Sequence, residues 1–123
     1  MTLLAELVAA SARVARESGR LEKVRVIAGC LRALCPTELE PGIAYLSGEI
    51  PQGKLSLGHA ALRGAAGTPS NGSGLTLLEV DAAFGAIREA KGKGAAGARA
   101  ARLAALFARA AADERDFLVR LIA

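Results

Sequence analysis

Apolar residues recur at helical spacing along most of the chain. Leu4, Leu7, Val8, Ser11 and Val14 form one stripe and predict a first helix from about Leu3 to Glu17, broken by Ser18-Gly19. A second helix is expected to about Leu34, buried through Val24, Ile27, Leu31 and Leu34, with Pro36 as its stop. Thr37 and Glu40 have capping-box spacing and Pro41 suits a first turn, so Pro41 to Ser47 reads as a short helix ended by Gly48. Glu49 to Leu57, with Pro51 and Gly53, reads as an ordered loop carrying Lys54 at its tip, followed by a short helix from about Ser56 to Arg63. In Gly64 to Gly74, nine of eleven residues are Gly, Ser, Thr, Pro or Asn, the composition of a flexible surface linker. Thr76 and Glu79 form another capping-box signal, opening a helix with Val80, Phe84 and Ile87 inward and Gly92 at its end. The next helix covers about Ala98 to Ala111 through Leu103, Leu106 and Phe107. Asp113 is the expected N-cap of a last helix carrying Phe117, Leu118 and Leu121, which meets Ala123 without a C-cap signal.

The stripes repeat. At a shift of 76 residues Ile27 falls on Leu103, Leu31 on Phe107, Ile43 on Val119 and Leu46 on Ile122. Lys23 falls on Arg99 and Glu38 on Glu114. Residue identity is low, so the pattern carries the correspondence. The expectation is a single all-α domain over 1–123, built of two related halves (1–63 and 75–123) joined by the linker 64–74.

Composition agrees with helix. The chain is 52% hydrophobic, much of it Ala, and only 3% aromatic, whereas sheets favour β-branched and aromatic side chains. At 123 residues it can bury a continuous core without staples. Cys30 and Cys35, with His59 as the sole histidine, support neither a zinc site nor a disulfide framework, and are expected as reduced core thiols. No run approaches the ~20 apolar residues of a membrane span, and no signal-peptide pattern opens the chain. The expected setting is soluble and cytoplasmic.

Net charge is only +4, but it is partitioned. Arg88 to Arg109 holds six basic residues against one acid, and Arg13 to Arg25 holds five against two. Both clusters surround a Gly-containing turn: Ser18-Gly19-Arg20-Leu21-Glu22-Lys23 and Lys91-Gly92-Lys93-Gly94-Ala95-Ala96-Gly97-Ala98-Arg99. A Gly-rich turn entering a helix offers backbone N–H groups and the positive end of the helix dipole to an anion. The same glycines are equally explained as helix terminators. Two basic turns in repeated context favour phosphate contact. The acids Asp113, Glu114 and Asp116 read as helix-start charges rather than a catalytic pair. The four aromatics (Tyr45, Phe84, Phe107, Phe117) all occupy apolar positions, which leaves no stacking platform for bases and points to duplex backbone recognition.

Several segments taken in order resemble the N-terminal DNA-binding domain of ATP-dependent DNA ligases. They are Leu3 to Leu7 ahead of the Ser18–Lys23 turn, then Tyr45 to Pro51 leading into Gly53 to Gly58. Leu77 to Val80, the Gly92–Arg99 turn and Glu114 to Ile122 complete the set. The resemblance implies an all-helical, pseudo-two-fold domain that sits across the minor groove and contacts backbone on both sides of a nick. It assigns DNA binding to Ser18, Gly19, Arg20 and Lys23, to Lys54, and to Gly92, Lys93, Gly94, Ala95 and Arg99. The family often has Ser at the positions of Lys93 and Ala95, so Lys93 here substitutes a point charge for a hydroxyl. No Lys in this chain stands in a Lys-x-Asp-Gly setting, so no nucleotidyl acceptor is present and the chain is not expected to be catalytic by itself. The resemblance implies a monomeric fragment of a longer ligase of DNA replication, repair or recombination. Its partners would be nicked duplex DNA and the downstream adenylation and OB-fold domains. ATP and a divalent metal would be bound by that parent, and no cofactor or metal by this chain. Two other classes compete: a helical protein-interaction adaptor, expected to bind in a salt-insensitive way through an apolar patch, and a regulator that reads sequence with one helix in the major groove.

Overall fold

A computed structural model describes residues 1–70, 72 and 74–123. Among them the chain forms seven α-helices and no sheet: α1 (Leu4–Arg16), α2 (Arg20–Arg32), α3 (Leu39–Leu46), α4 (His59–Ala66), α5 (Leu77–Glu89), α6 (Ala95–Ala108) and α7 (Ala112–Ile122). A 3-10 turn, Pro36–Glu38, leads into α3. The all-α expectation holds.

The helices are ordered around one short junction. Leu3 and Thr76 form an isolated antiparallel bridge, in which the Leu4 N–H donates to Leu75 O (2.8 Å) and the Leu77 N–H to Thr2 O (3.0 Å). These are donors that the first turns of α1 and α5 could not satisfy internally, so each helix start caps the other. From this junction α1 and α5 run outward, and α2 and α6 return against them as the second arms of two hairpins. Helix α3 packs on α1 and α5, α7 packs on α1, and α4 lies against α6. The core between them holds Leu4, Leu7, Leu75, Leu77, Val80, Phe84, Ile87, Leu103, Phe107 and Leu118, all fully buried. Tyr45 meets Phe84 edge to face with ring centroids 6.2 Å apart, an arrangement the ring quadrupoles favour.

Four glutamates start four of the segments in one way. Glu6 accepts from the Leu3 N–H, Glu38 from Cys35, Glu79 from Thr76 and Glu114 from Ala111, each three residues on from the donor. Only Thr76 returns the bond, its hydroxyl accepting from the Glu79 N–H, which makes it the expected reciprocal capping box. The other three positions hold Leu, Cys and Ala, which have no side-chain oxygen to return it. Glu38 is fully buried and also accepts from the Thr2 N–H (2.7 Å) and hydroxyl (3.0 Å). These bonds, from the Cys35 and Thr2 amides foremost, hold its carboxyl below the usual carboxylate range despite burial.

Several expectations are corrected. The cap at the start of α3 uses Cys35 and Glu38 rather than Thr37 and Glu40, so the helical path begins at Pro36 instead of Pro41. Asp113 is not the N-cap of α7: it lies inside the first turn, and its carboxylate accepts from the Glu114 N–H. Helix α6 starts at Ala95, three residues early, because Gly94 in the left-handed region (φ 81°) turns the chain directly into it. Helix α4 begins at His59 and continues through Ala66, so Gly64 to Ala66 are helical and Ala65 is buried. Of the expected linker, Asn71 and Ser73 lie outside the described residues. On α2, Val24 is 54% exposed, and Ile27 and Leu31 are half-buried. Cys35 is exposed and Cys30 only half-buried.

Candidate nucleic-acid interface

The first turn is short. Helix α1 ends at Arg16, and α2 starts at Arg20 behind an extended Gly19 with no side-chain cap. The first turn-closing bond of α2 is the Lys23 N–H to Gly19 O (3.1 Å). The N–H groups of Arg20, Leu21 and Glu22 therefore point out of the helix end without a protein acceptor among the described residues. Ser18, Gly19 and Arg20 are exposed and Lys23 is half-buried. Glu22 is shared between Arg13 (3.2 Å) and Arg25 (3.6 Å), which leaves neither Arg20 nor Lys23 in an ion pair among the described residues.

The second turn is longer and more tightly shaped. Between Glu89 and Ala95 the chain passes through Gly92 (φ 82°) and Gly94 (φ 81°), a left-handed conformation in which any side chain is strained. The Ala95 N–H closes the turn on Gly92 O (3.2 Å), and the Ala98 N–H returns to Gly94 O (3.0 Å). The amides of Ala96 and Gly97 have no backbone or side-chain acceptor among the described residues. Lys91, Gly92, Lys93 and Gly94 are exposed. Ala95 is buried, and its N–H is committed to the turn itself. Arg99 is half-buried and donates through Nη2 to Ala90 O at 2.7 Å, across the base of the turn. It thereby places a cation against the last carbonyls of α5, where the helix dipole favours one.

The site residues fall into three groups. Ser18, Gly19, Arg20 and Lys23 share the α1–α2 turn, and Gly92, Lys93, Gly94, Ala95 and Arg99 share the α5–α6 turn. Lys54 stands apart, exposed on a cleft wall with Ser56 and His59, facing Ile122 and Ala123 at the end of α7. The two turns lie at the far ends of α1 and α5, whose starts meet at the Leu3–Thr76 bridge. Both helices have 13 residues, so each turn is about 20 Å from that bridge. What sequence reasoning missed is the inward use of Arg99. Its signal was the nine-residue step back to Ala90, one helical turn past a five-residue loop.

The chain lacks a Lys-x-Asp-Gly segment, and no cluster of three metal-ligating side chains occurs among the described residues. No helix there is long and apolar enough to cross a membrane.

No family model matches the chain. It is 50% identical, over 97% of its length, to a protein named "Probable DNA ligase" from Anaeromyxobacter sp. (strain Fw109-5), of which it spans 23%. It is 46% identical to a protein of the same name from Saccharopolyspora erythraea, covering 99% of this chain and 24% of that one. A third, from Rhodococcus opacus, is 40% identical over 98% of this chain and 24% of its own length. The chain is thus similar over nearly its whole length to one segment of proteins named "Probable DNA ligase", and it spans about a quarter of the relatives it matches.

Proposed function

Proceeding from that similarity, we propose that this chain is the N-terminal DNA-binding domain of an ATP-dependent DNA ligase, holding nicked duplex across the minor groove. The observation that carries the proposal is the pair of exposed basic turns, each opening a long helix with first-turn N–H groups (Arg20, Leu21 and Glu22 in α2, Ala96 and Gly97 in α6) that have no acceptor among the described residues. Such an end attracts phosphate through its amides and its dipole together. With each turn about 20 Å from the junction, the two reach at most about 40 Å apart, comparable to the ~34 Å of one duplex turn. The contacts are to backbone, so binding is indifferent to sequence.

In this reading the halves 1–63 and 75–123 are related by a pseudo-two-fold, supported by element lengths. Helices α1 and α5 both have 13 residues and are offset by 73 at each end, while α2 and α6 are offset by 75 at their starts and 76 at their ends. Ser18, Gly19, Arg20 and Lys23 hold one strand and Gly92, Lys93 and Gly94 the other, with Lys54 joining from the middle loop. Ala95 acts as anchor of its turn, and Arg99 both sets the turn and adds charge. Adenylation and OB-fold domains, with their ATP and divalent metal, belong to the rest of the parent protein. The domain works as a monomer in the cytoplasm.

The test is a salt titration of binding to nicked and intact duplexes. Neutralising about five phosphates gives a slope of log K against log salt of roughly −4 to −5. Lys93→Ala and Lys23→Ala each flatten it by about one unit and weaken all sequences alike. A slope near zero, or unchanged affinity in Lys23→Ala, Lys93→Ala and Arg99→Ala together, would place DNA elsewhere and favour a protein-interaction adaptor.

A further inference from the structure

The two hairpins each enclose a groove between their arms, and the grooves are built from corresponding positions. Every residue lining the α5–α6 groove has a counterpart lining the α1–α2 groove, 73 residues earlier for α5 and its lead-in, 76 for α6. Glu79 corresponds to Glu6, and Ala83 to Ala10. At every other position the first groove carries the smaller side chain: Val26 for Arg102, Gly29 for Ala105, Cys30 for Leu106 and Ala33 for Arg109, with Thr2 in place of Leu75. The space differs accordingly, about 410 Å³ in the first groove and about 230 Å³ in the second.

The difference in charge is sharper than the difference in size. In the α5–α6 groove Glu79 uses one oxygen on the Thr76 N–H and the other on Arg109, which crosses the groove to reach it. In the α1–α2 groove Glu6 uses one oxygen on the Leu3 N–H (2.8 Å), and its other oxygen has no partner among the described residues. Ala33 stands where the arginine would be. The cations at the other end, Arg13 and Arg25, are engaged with Glu22. The first groove is thus the second with its two arginines and two leucines replaced by smaller side chains and its carboxylate retained.

We propose that the α1–α2 groove is a docking site for a protein segment that brings its own arginine to Glu6, with an apolar side chain one helical turn before it filling the space over Cys30 and Gly29. The occupant is specified by what the second groove contains. Leu106 and Arg109 of α6 stand three residues apart and occupy there the positions a visiting helix turn would supply here. Glu6 is exposed, and a guanidinium suits its free carboxylate oxygen because it forms directional, charge-assisted bonds. The site lies along the hairpin arms and uses none of the residues assigned to DNA.

The experiment follows backbone amide NMR shifts of the 123-residue chain during titration with acetyl-Leu-Ala-Ala-Arg-amide and with the same peptide ending in Gln. The expected result is a set of shifts confined to Thr2–Glu6 and Gly29–Ala33, with the Gln peptide about tenfold weaker. Glu6→Gln, which keeps the acceptor for the Leu3 N–H, reduces the Arg peptide to the level of the Gln peptide. Ala33→Arg fills the groove from within, as Arg109 does, and abolishes binding. Val26→Arg gives the same block should Ala33→Arg disturb the end of α2. Neither Glu6→Gln nor Ala33→Arg alters duplex DNA affinity. Equal shifts with both peptides, binding that survives both Glu6→Gln and a folded groove-filling variant, or no shifts at the groove would overturn the proposal.

Discussion

Helices α2 and α6 are the returning arms of two hairpins, with 13 and 14 residues, yet they are buried to different depths. Helix α6 buries Ala95, Leu103, Leu106 and Phe107; α2 fully buries nothing. The sequences alone do not require this, since Ile27 and Leu31 are as apolar as their counterparts Leu103 and Phe107. The cause is a neighbour: α4 lies against α6, while Leu21 (65%) and Val24 (54%) of α2 stay exposed. A helical stripe states which face can be buried. How deeply it is buried depends on what else the chain lays across it.

The largest test of this contrast is truncation of the corresponding pair. Phe107→Ala is expected to cost about 3–5 kcal/mol, because it opens a cavity in a fully enclosed site. Leu31→Ala, on the shallower side, is expected to cost about 1–2 kcal/mol, below the range for enclosed leucines. Chemical denaturation of both variants measures the difference. Equal losses would show that the first half is packed as tightly as the second.

The buried carboxylates give the next test. Glu38→Gln turns one of its acceptors toward a donor and is expected to cost about 1–3 kcal/mol at neutral pH, read from the same unfolding curves. Acid has a related effect. Glu38 is held below its ordinary range, and Glu79 is held at about 2, chiefly by Arg109 and then by the Thr76 N–H. A depressed carboxylate stabilises fully above its unfolded pKa of about 4.3 and loses that contribution as pH falls through the folded value. Thermal midpoints are therefore expected to be level from pH 7 to about 5 and to fall from there toward about 2. Arg109→Ala should remove part of the fall, by less than Glu38→Gln does, because the Glu79 side chain is 40% exposed and solvent screens its pair. An acid profile unchanged in both variants would assign the loss to other groups.

The smallest expected effect lies between the halves. Two Gly/Ser residues inserted after Gly72, which is exposed, should cost well under about 1 kcal/mol, since loop-closure entropy grows only slowly with length. A loss comparable to that of Leu31→Ala in a thermal melt would mean that the spacing of the halves is itself under strain.

Legibility followed physical locality. The inward positions of α5, α6 and α7 were readable because each stripe is long and faces a closed core. The start of α5 was readable because Thr76 and Glu79 supply both halves of a capping box. The starts of α3 and α7 were misplaced because a search for hydroxyl or carboxylate N-caps settles on Thr37 and Asp113. The caps actually need only a backbone N–H and a glutamate three residues on, and any residue supplies the N–H, as Leu3, Cys35 and Ala111 do. The basic turns were visible as Gly and Lys/Arg clusters, whereas the inward commitment of Arg99 to Ala90 O depended on the shape of a turn set by two left-handed glycines.

By itself, then, the sequence determined that the chain is helical, where its apolar stripes run, and that two basic glycine turns repeat along it. These are properties of neighbours within a few residues, decided by propensity, periodicity and local charge. Only the tertiary structure decided that α1 and α5 start from one shared bridge, that α4 deepens one half and not the other, and that Glu79 is ion-paired while Glu6, among the described residues, keeps one oxygen without a partner. Each of these joins residues far apart in the chain, where the energy of a contact depends on burial and geometry that no local pattern encodes.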